Sequence, residues 1–240
     1  MDKDINTIKT LGVIGGLGPM ATSYFMRLLT DMCSARIDQE HLEIITYSKP
    51  SIPDRTAYIL GKSKENPVPV MIEVGHKLRL MGADTLAIPC ITAHCFHEEL
   101  EEKIGIPIVN AMKETAVYLK ENGITCAGLM ATDGTVSSGV FQRYLNEEGI
   151  DVVIPKSQNL VMKIIYDDVK ANRQVEMDDF LTVTDELNNQ GAKAVLLGCT
   201  ELSIVKRDFR VKANILDVLE ILSRSVLLKA GKLSEKYRIL

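Results

Sequence analysis

The chain has 240 residues, 46% hydrophobic and 25% charged, with a net charge of -4; that is room for one large α/β domain or two compact ones. Its basic residues are scattered, which argues against a nucleic-acid partner, and no apolar run reaches the length of a membrane span. The opening MDKDINTIKT lacks the features of a secretory leader, and five cysteines, odd in number and widely spaced, point to free thiols; a cytoplasmic protein acting on a small molecule is expected.

Short β-rich apolar runs alternate with stretches of helical period, the signature of a parallel α/β sheet. The first run is TLGVI (10–14), followed by GGLGPMAT (15–22). Gly16, Gly18 and Ala21 have the G-x-G-x-x-A spacing of a dinucleotide loop, but the second run, EIITY (43–47), leads into Ser48 and Lys49 with no carboxylate to hold a ribose, so NAD is disfavoured. A turn with Pro19 at a helix start, leaving N–H groups free for an anion, is the sounder reading. Ala21, Phe25, Leu28, Leu29 and Met32 share one helical face, as do Val70, Val74, Leu78 and Met81, and both stripes are expected in the core. The loop KPSIPDR (49–55) ends in Arg55; most loop arginines are merely solvated, but at a cleft edge this one would anchor a carboxylate.

TLAI (85–88) leads to IPCITAHCF (88–96), then acidic EELEEK (98–103), read as a solvated helix face, and IPIV (106–109). Cys90, His94, Cys95 and His97 crowd metal-ligating atoms together, but not at a usual zinc spacing, so no metal is expected. CAGLM (126–130), DVVI (151–154) and AVLL (194–197) complete the strand-like runs, and Lys170 closes IIYDDVK (164–170), late in a helix where a cation suits the dipole whatever its role.

The two halves echo each other. GPMATSYFMRLL (18–29) and GTVSSGVFQRYL (134–145) share Gly, Phe, Arg and Leu at equal offsets, and GADTLAIPCIT (82–92) aligns with GAKAVLLGCT (191–200), matching Gly82 with Gly191 and Cys90 with Cys199. Two such matches in the same order imply two similar α/β domains about a pseudo-twofold, with both cysteines at the ligand-binding edge. A single buried cysteine is usually a small hydrophobe, the reading kept for Cys33 and Cys126. The repeat reverses that reading for Cys90 and Cys199. A thiol at a helix amino end is expected to have its pKa lowered. Two thiols facing one ligand could remove a proton from one side of a carbon and return one from the other, inverting the centre.

Together, GGLGPMAT, SIPDR, IPCxTAH, ATDGTVSSGVFQ, IYDDVK and GCTEL resemble the aspartate/glutamate racemase superfamily, most closely its aspartate racemase branch, over nearly the whole chain. The resemblance implies a cofactor-independent isomerase, commonly a homodimer, built from two Rossmann-like domains with the active site between them. The first domain would cover 1–115 with a returning helix in 217–240, and the second 116–216. By position it makes Cys90 and Cys199 the two bases, sets Arg55 and Lys170 around a side-chain carboxylate, and gives Thr92, Thr132 and Thr200 the α-carboxylate and amino groups. Glu201 would tune the Cys199 thiol or meet the amino group. Ile91 departs from the pattern, standing where the family has asparagine. The resemblance implies aspartate, or glutamate, as substrate, and Ile91 bears against that identity rather than against the mechanism. The alternatives are a dicarboxylic acid without an amino group, isomerised or decarboxylated by a relative, and a non-catalytic amino-acid-binding protein.

Overall fold

The computed structural model describes residues 7–209 and 211–240. The first half runs β1 (Thr10–Gly15), α1 (Pro19–Asp31), β2 (Glu43–Ser48), α2 (Arg55–Ile59), α3 (Val68–Leu80), β3 (Thr85–Ala87), a 3-10 turn over Ile91–Phe96, α4 (His97–Ile104) and α5 (Ala111–Glu121). The second runs β4 (Cys126–Met130), α6 (Asp133–Ser138), α7 (Val140–Glu147), β5 (Asp151–Val153), α8 (Gln158–Met162), a π-helical stretch over Lys163–Val169, α9 (Met177–Asn189), β6 (Ala194–Leu197), α10 (Thr200–Asp208), β7 (Ile215–Asp217) and α11 (Val218–Lys229). Two all-parallel sheets result, in the orders β2-β1-β3 and β5-β4-β6-β7. This is the two-sheet α/β fold that the alternating runs imply.

The strands are apolar because helices cover them: β3 and β6 are buried at every residue, as sheets flanked on both faces require. α11 returns to pack against α1 and α5, so the end of the chain closes over the first half. The Ala21, Phe25, Leu28, Leu29 and Met32 stripe is buried as expected.

Two readings need correction. The α3 core face runs through Val68, Met71, Val74 and Leu78, while Val70 is only partly buried and Met81 is 52% exposed, because the helix ends at Leu80 and the chain turns away at Gly82. IPIV forms no strand; only Ile108 bridges Leu86, with Leu86 N–H donating to Pro107 O and Val109 N–H to Leu86 O. Proline supplies no N–H for a longer ladder.

Candidate active site

Within each sheet the strands are parallel, so their carboxyl ends share one edge, and the loops leaving those two edges build the site. The loop after β1 carries Leu17, that after β2 carries Asp54 and Arg55, and that after β3 carries Cys90, Ile91 and Thr92; after β4 comes Thr132 and after β6 come Cys199, Thr200 and Glu201. These residues, with Thr56, Tyr166 and Lys170, line one chamber of about 10 Å³, room for roughly one water. All nine residues expected at the site are therefore brought together: Arg55, Cys90, Ile91, Thr92, Thr132, Lys170, Cys199, Thr200 and Glu201. Leu17, Asp54, Arg55, Lys170, Thr200 and Glu201 also line a vestibule of about 770 Å³, whose walls include Met20, Val175, Arg207 and Phe209.

Each cysteine is the residue before a helical segment and takes an extended conformation, with φ -148 and ψ 104 at Cys90 and φ -144 and ψ 135 at Cys199. Both are 5% exposed, so water reaches neither freely. Their partners differ. Arg55 faces Cys90, and its guanidinium is fixed by backbone carbonyls: Nη1 donates to Pro53 O at 3.0 Å and Nη2 to Leu17 O at 3.2 Å, while Nε is buried with no acceptor among the described residues. Burial works against the Arg55 charge, but Cys90, Asp54 and Tyr166 outweigh it and hold the guanidinium more firmly protonated than usual.

Cys199 Sγ donates to Glu201 Oε2 at 2.9 Å, and Thr200 Oγ1 donates to the same oxygen at 3.3 Å. Burial first, and the Glu201 carboxylate second, push the Cys199 thiol well above its ordinary pKa, against the pull of Lys170. This reverses the expectation of a lowered pKa: a dry pocket and an adjacent anion outweigh the helix end. Lys170 has much of its surface exposed, lying between chamber and vestibule. Partial burial of its ammonium opposes the charge, yet Glu201, Cys199, Tyr166 and Asp54 together raise its pKa.

A cluster of hydroxyls joins the halves. Thr56 Oγ1 donates to Thr132 Oγ1 at 3.2 Å, Thr92 Oγ1 lies 3.1 Å from Thr132 and 3.0 Å from Thr135, and Thr132 caps α6 by accepting from Thr135 N–H. Ile91 is 1% exposed and presents only apolar surface to the chamber. His94 is buried with Nε2 at 3.2 Å from Ile88 O and its ring stacked on His97, and burial takes its pKa down to about 3. Among the described residues no group of three or more His, Cys, Asp or Glu could hold a metal.

Sequence reasoning missed Asp54, Thr56 and Tyr166. Asp54 stands beside Arg55 in the same SIPDR loop, and Tyr166 lies four residues before Lys170, a helical spacing that could have flagged it.

Comparison with known proteins places this geometry. A family model described as Asp/Glu/Hydantoin racemase matches residues 14–226. The structure of Picrophilus torridus aspartate racemase is similar at 34% identity and a TM-score of 0.82, with 96% of this chain and 98% of that one covered. An aspartate racemase homologue from Pyrococcus horikoshii OT3 shares the fold at a TM-score of 0.73 and 22% identity, covering 93% and 100% of the two chains. The broad specificity amino-acid racemase RacX of Bacillus subtilis is 25% identical over 223 residues, 90% of this chain and 95% of that protein. With that match running through both sheets and through the loops that carry the two thiols, the chain belongs to the Asp/Glu/hydantoin racemase family and is an isomerase.

Proposed function

We propose that the protein racemises an acidic α-amino acid, aspartate before glutamate, without a cofactor, with Cys90 and Cys199 as the two acid/base groups at Cα. The observation that carries this is the convergence of both thiols, one from each half, on a single chamber that also holds two cations and two carboxylates. In one direction the Cys90 thiolate takes the Cα proton, leaving a carbanion, and the Cys199 thiol delivers its own proton to the opposite face. The products are the mirror amino acid, a Cys90 thiol and a Cys199 thiolate. Arg55 balances the charge while Cys90 carries it, and Glu201 holds the Cys199 proton until it is needed. The reverse reaction exchanges the roles.

Charge counting favours an amino acid over a diacid. Aspartate brings two carboxylates and an ammonium; Arg55 and Lys170 match the first two, and Glu201 or Asp54 the third. A dicarboxylic acid without an amino group would leave both protein carboxylates facing an anion, which disfavours the isomerase or decarboxylase alternative. Thr92, Thr132 and Thr200 supply hydroxyls to the α-carboxylate, and the unpartnered Arg55 Nε supplies a further donor. At position 91 the wall offers no polar side chain, so selectivity between acidic side chains rests on Arg55 and Lys170. The resemblance to the family supports a homodimer and domains of 1–115 with 217–240 and of 116–216, and five free cysteines support a cytoplasmic location.

Incubation of the L and D forms of aspartate and glutamate in heavy water should place deuterium on Cα and erode optical purity, read by mass spectrometry and chiral chromatography. Cys90→Ser and Cys199→Ser should each lower inversion by roughly 10²- to 10⁴-fold. Turnover of maleate or a substituted malonate with no amino-acid exchange would support the diacid alternative instead. Ligand-induced thermal stabilisation without exchange, unchanged in both serine variants, would support a binding protein.

A further inference from the structure

Lys170 is held by an unusual partner. Its Nζ lies 3.9 Å from the centroid of the Tyr166 ring. Among the described residues no carboxylate stands within 4.0 Å of that ammonium and none accepts a hydrogen bond from it, although Glu201 and Asp54 are near enough to raise its pKa. The backbone explains how the pair forms. Residues Lys163–Val169 adopt a π-helix, and Lys170 N–H donates to Ile165 O at 3.0 Å, five residues back; this wide turn sets the side chain at 166 beneath that at 170. Tyr166 shares the chamber wall with Thr56 of the other half, which in turn donates to Thr132.

We propose that Tyr166 is the positioning residue for Lys170: its ring holds the ammonium over the chamber, apart from Glu201 and Asp54. A free lysine side chain has many rotamers and two carboxylates within its swing. Paired with either, it would be neutralised where a substrate carboxylate needs it. A cation on an aromatic face is held without a carboxylate partner, so its charge and the N–H donors turned away from the ring remain for the ligand. The kinetic consequence rests on the reading of the chamber as an acidic-amino-acid site; the geometric part does not.

Two measurements test it, on full-length protein. Reductive ¹³C-methylation labels the lysines, and Lys170→Arg identifies the Lys170 resonance. Ring current from Tyr166 should displace that resonance upfield in the wild type and in Tyr166→Phe, and the displacement should vanish in Tyr166→Met or Tyr166→Leu, either of which serves if the other does not fold. For aspartate, the ring-free variants should raise KM about 3- to 10-fold with kcat changing less, while Tyr166→Phe keeps KM near the wild-type value. An undisplaced Lys170 resonance in the wild type, or one unaltered by ring loss, would overturn the proposal, as would equal KM values in all variants. If the wild type acts on no amino acid, the reading of the site fails, and the resonance alone still decides the role of Tyr166.

Discussion

Cys90 and Cys199 occupy matching turns in unlike surroundings, one beside a guanidinium and one beside a carboxylate. If the Glu201 charge contributes to raising the Cys199 thiol, Glu201→Gln should bring that thiol down, and alkylation of the Cys199 peptide by iodoacetamide should begin at lower pH than in the wild type. Away from the site, two buried groups oppose each other in acid and base. Asp217 is fully buried; burial first, then the Glu220 charge, take its carboxyl up to about 7, although Ser203, the Leu219 N–H and Lys206 favour the anion. An unfolded aspartate ionises near 4, so this group stabilises the fold fully below that pH and the benefit fades as pH rises toward 7. His94 works the other way: kept neutral in the fold down to about 3, it costs stability as pH falls below roughly 6.5, where the unfolded chain takes up the proton. Asp217→Asn should therefore melt higher than the wild type by a margin that widens from pH 5 to pH 8, read by thermal unfolding at both. The cysteines were legible in the sequence because they repeat. Asp217 was not, since a buried carboxyl takes its meaning from neighbours distant in the chain such as Ser203; Tyr166 left only the helical spacing to Lys170 as a signal.

At the level of elements the duplication goes deeper than the sequence match. Gly82 and Gly191 have φ of +106 and +98, a left-handed conformation that glycine adopts without strain, each just after a helix. The next residues repeat the bonding: Ala83 N–H donates to Leu78 O and Ala192 N–H to Leu187 O, while Asp84 N–H donates to Thr10 O and Lys193 N–H to Cys126 O. Gly12 in β1 and Gly128 in β4 are a further matched pair. A Cβ at Gly12 would meet Ala83 Cβ at 2.9 Å and Leu78 Cβ at 3.2 Å; one at Gly128 would meet Leu187 Cβ at 2.8 Å and Ala192 Cβ at 3.2 Å. Gly128→Ala should accordingly cost about 1–3 kcal/mol in a denaturant melt, since those atoms lie at the base of their side chains and cannot swing away. The strands bounded by turn signals, β1 to β6, could be read directly. Ile215–Asp217 could not: it runs straight into the helix that begins at Val218 with no turn signal between them, and is defined only by its pairing with β6.

On the scale of the whole molecule, hydroxyl bonds join the halves beside a shared apolar cluster, and the chamber they enclose is far too small for any amino acid. Ligand entry thus requires the walls of the chamber to move, and the expected movement is a small parting of the halves. A disulfide between cysteines placed at Thr56 and Thr132, whose hydroxyl oxygens are 3.2 Å apart, should clamp them. The oxidised double variant is expected to lose turnover and to regain part of it on reduction, measured by deuterium exchange at Cα under both conditions. The cleft could be inferred from the repeat, but its degree of closure depends on contacts across the halves that no local pattern encodes.

The vestibule carries a pharmacological consequence. Because six of its residues are also walls of the chamber, a compound lodged against Met20, Val175 and Phe209 would bar the doorway without imitating an amino acid or reaching either thiol. Such an inhibitor would be free of the charges that make substrate mimics poor at crossing membranes, and its selectivity would come from side chains that take no part in moving a proton.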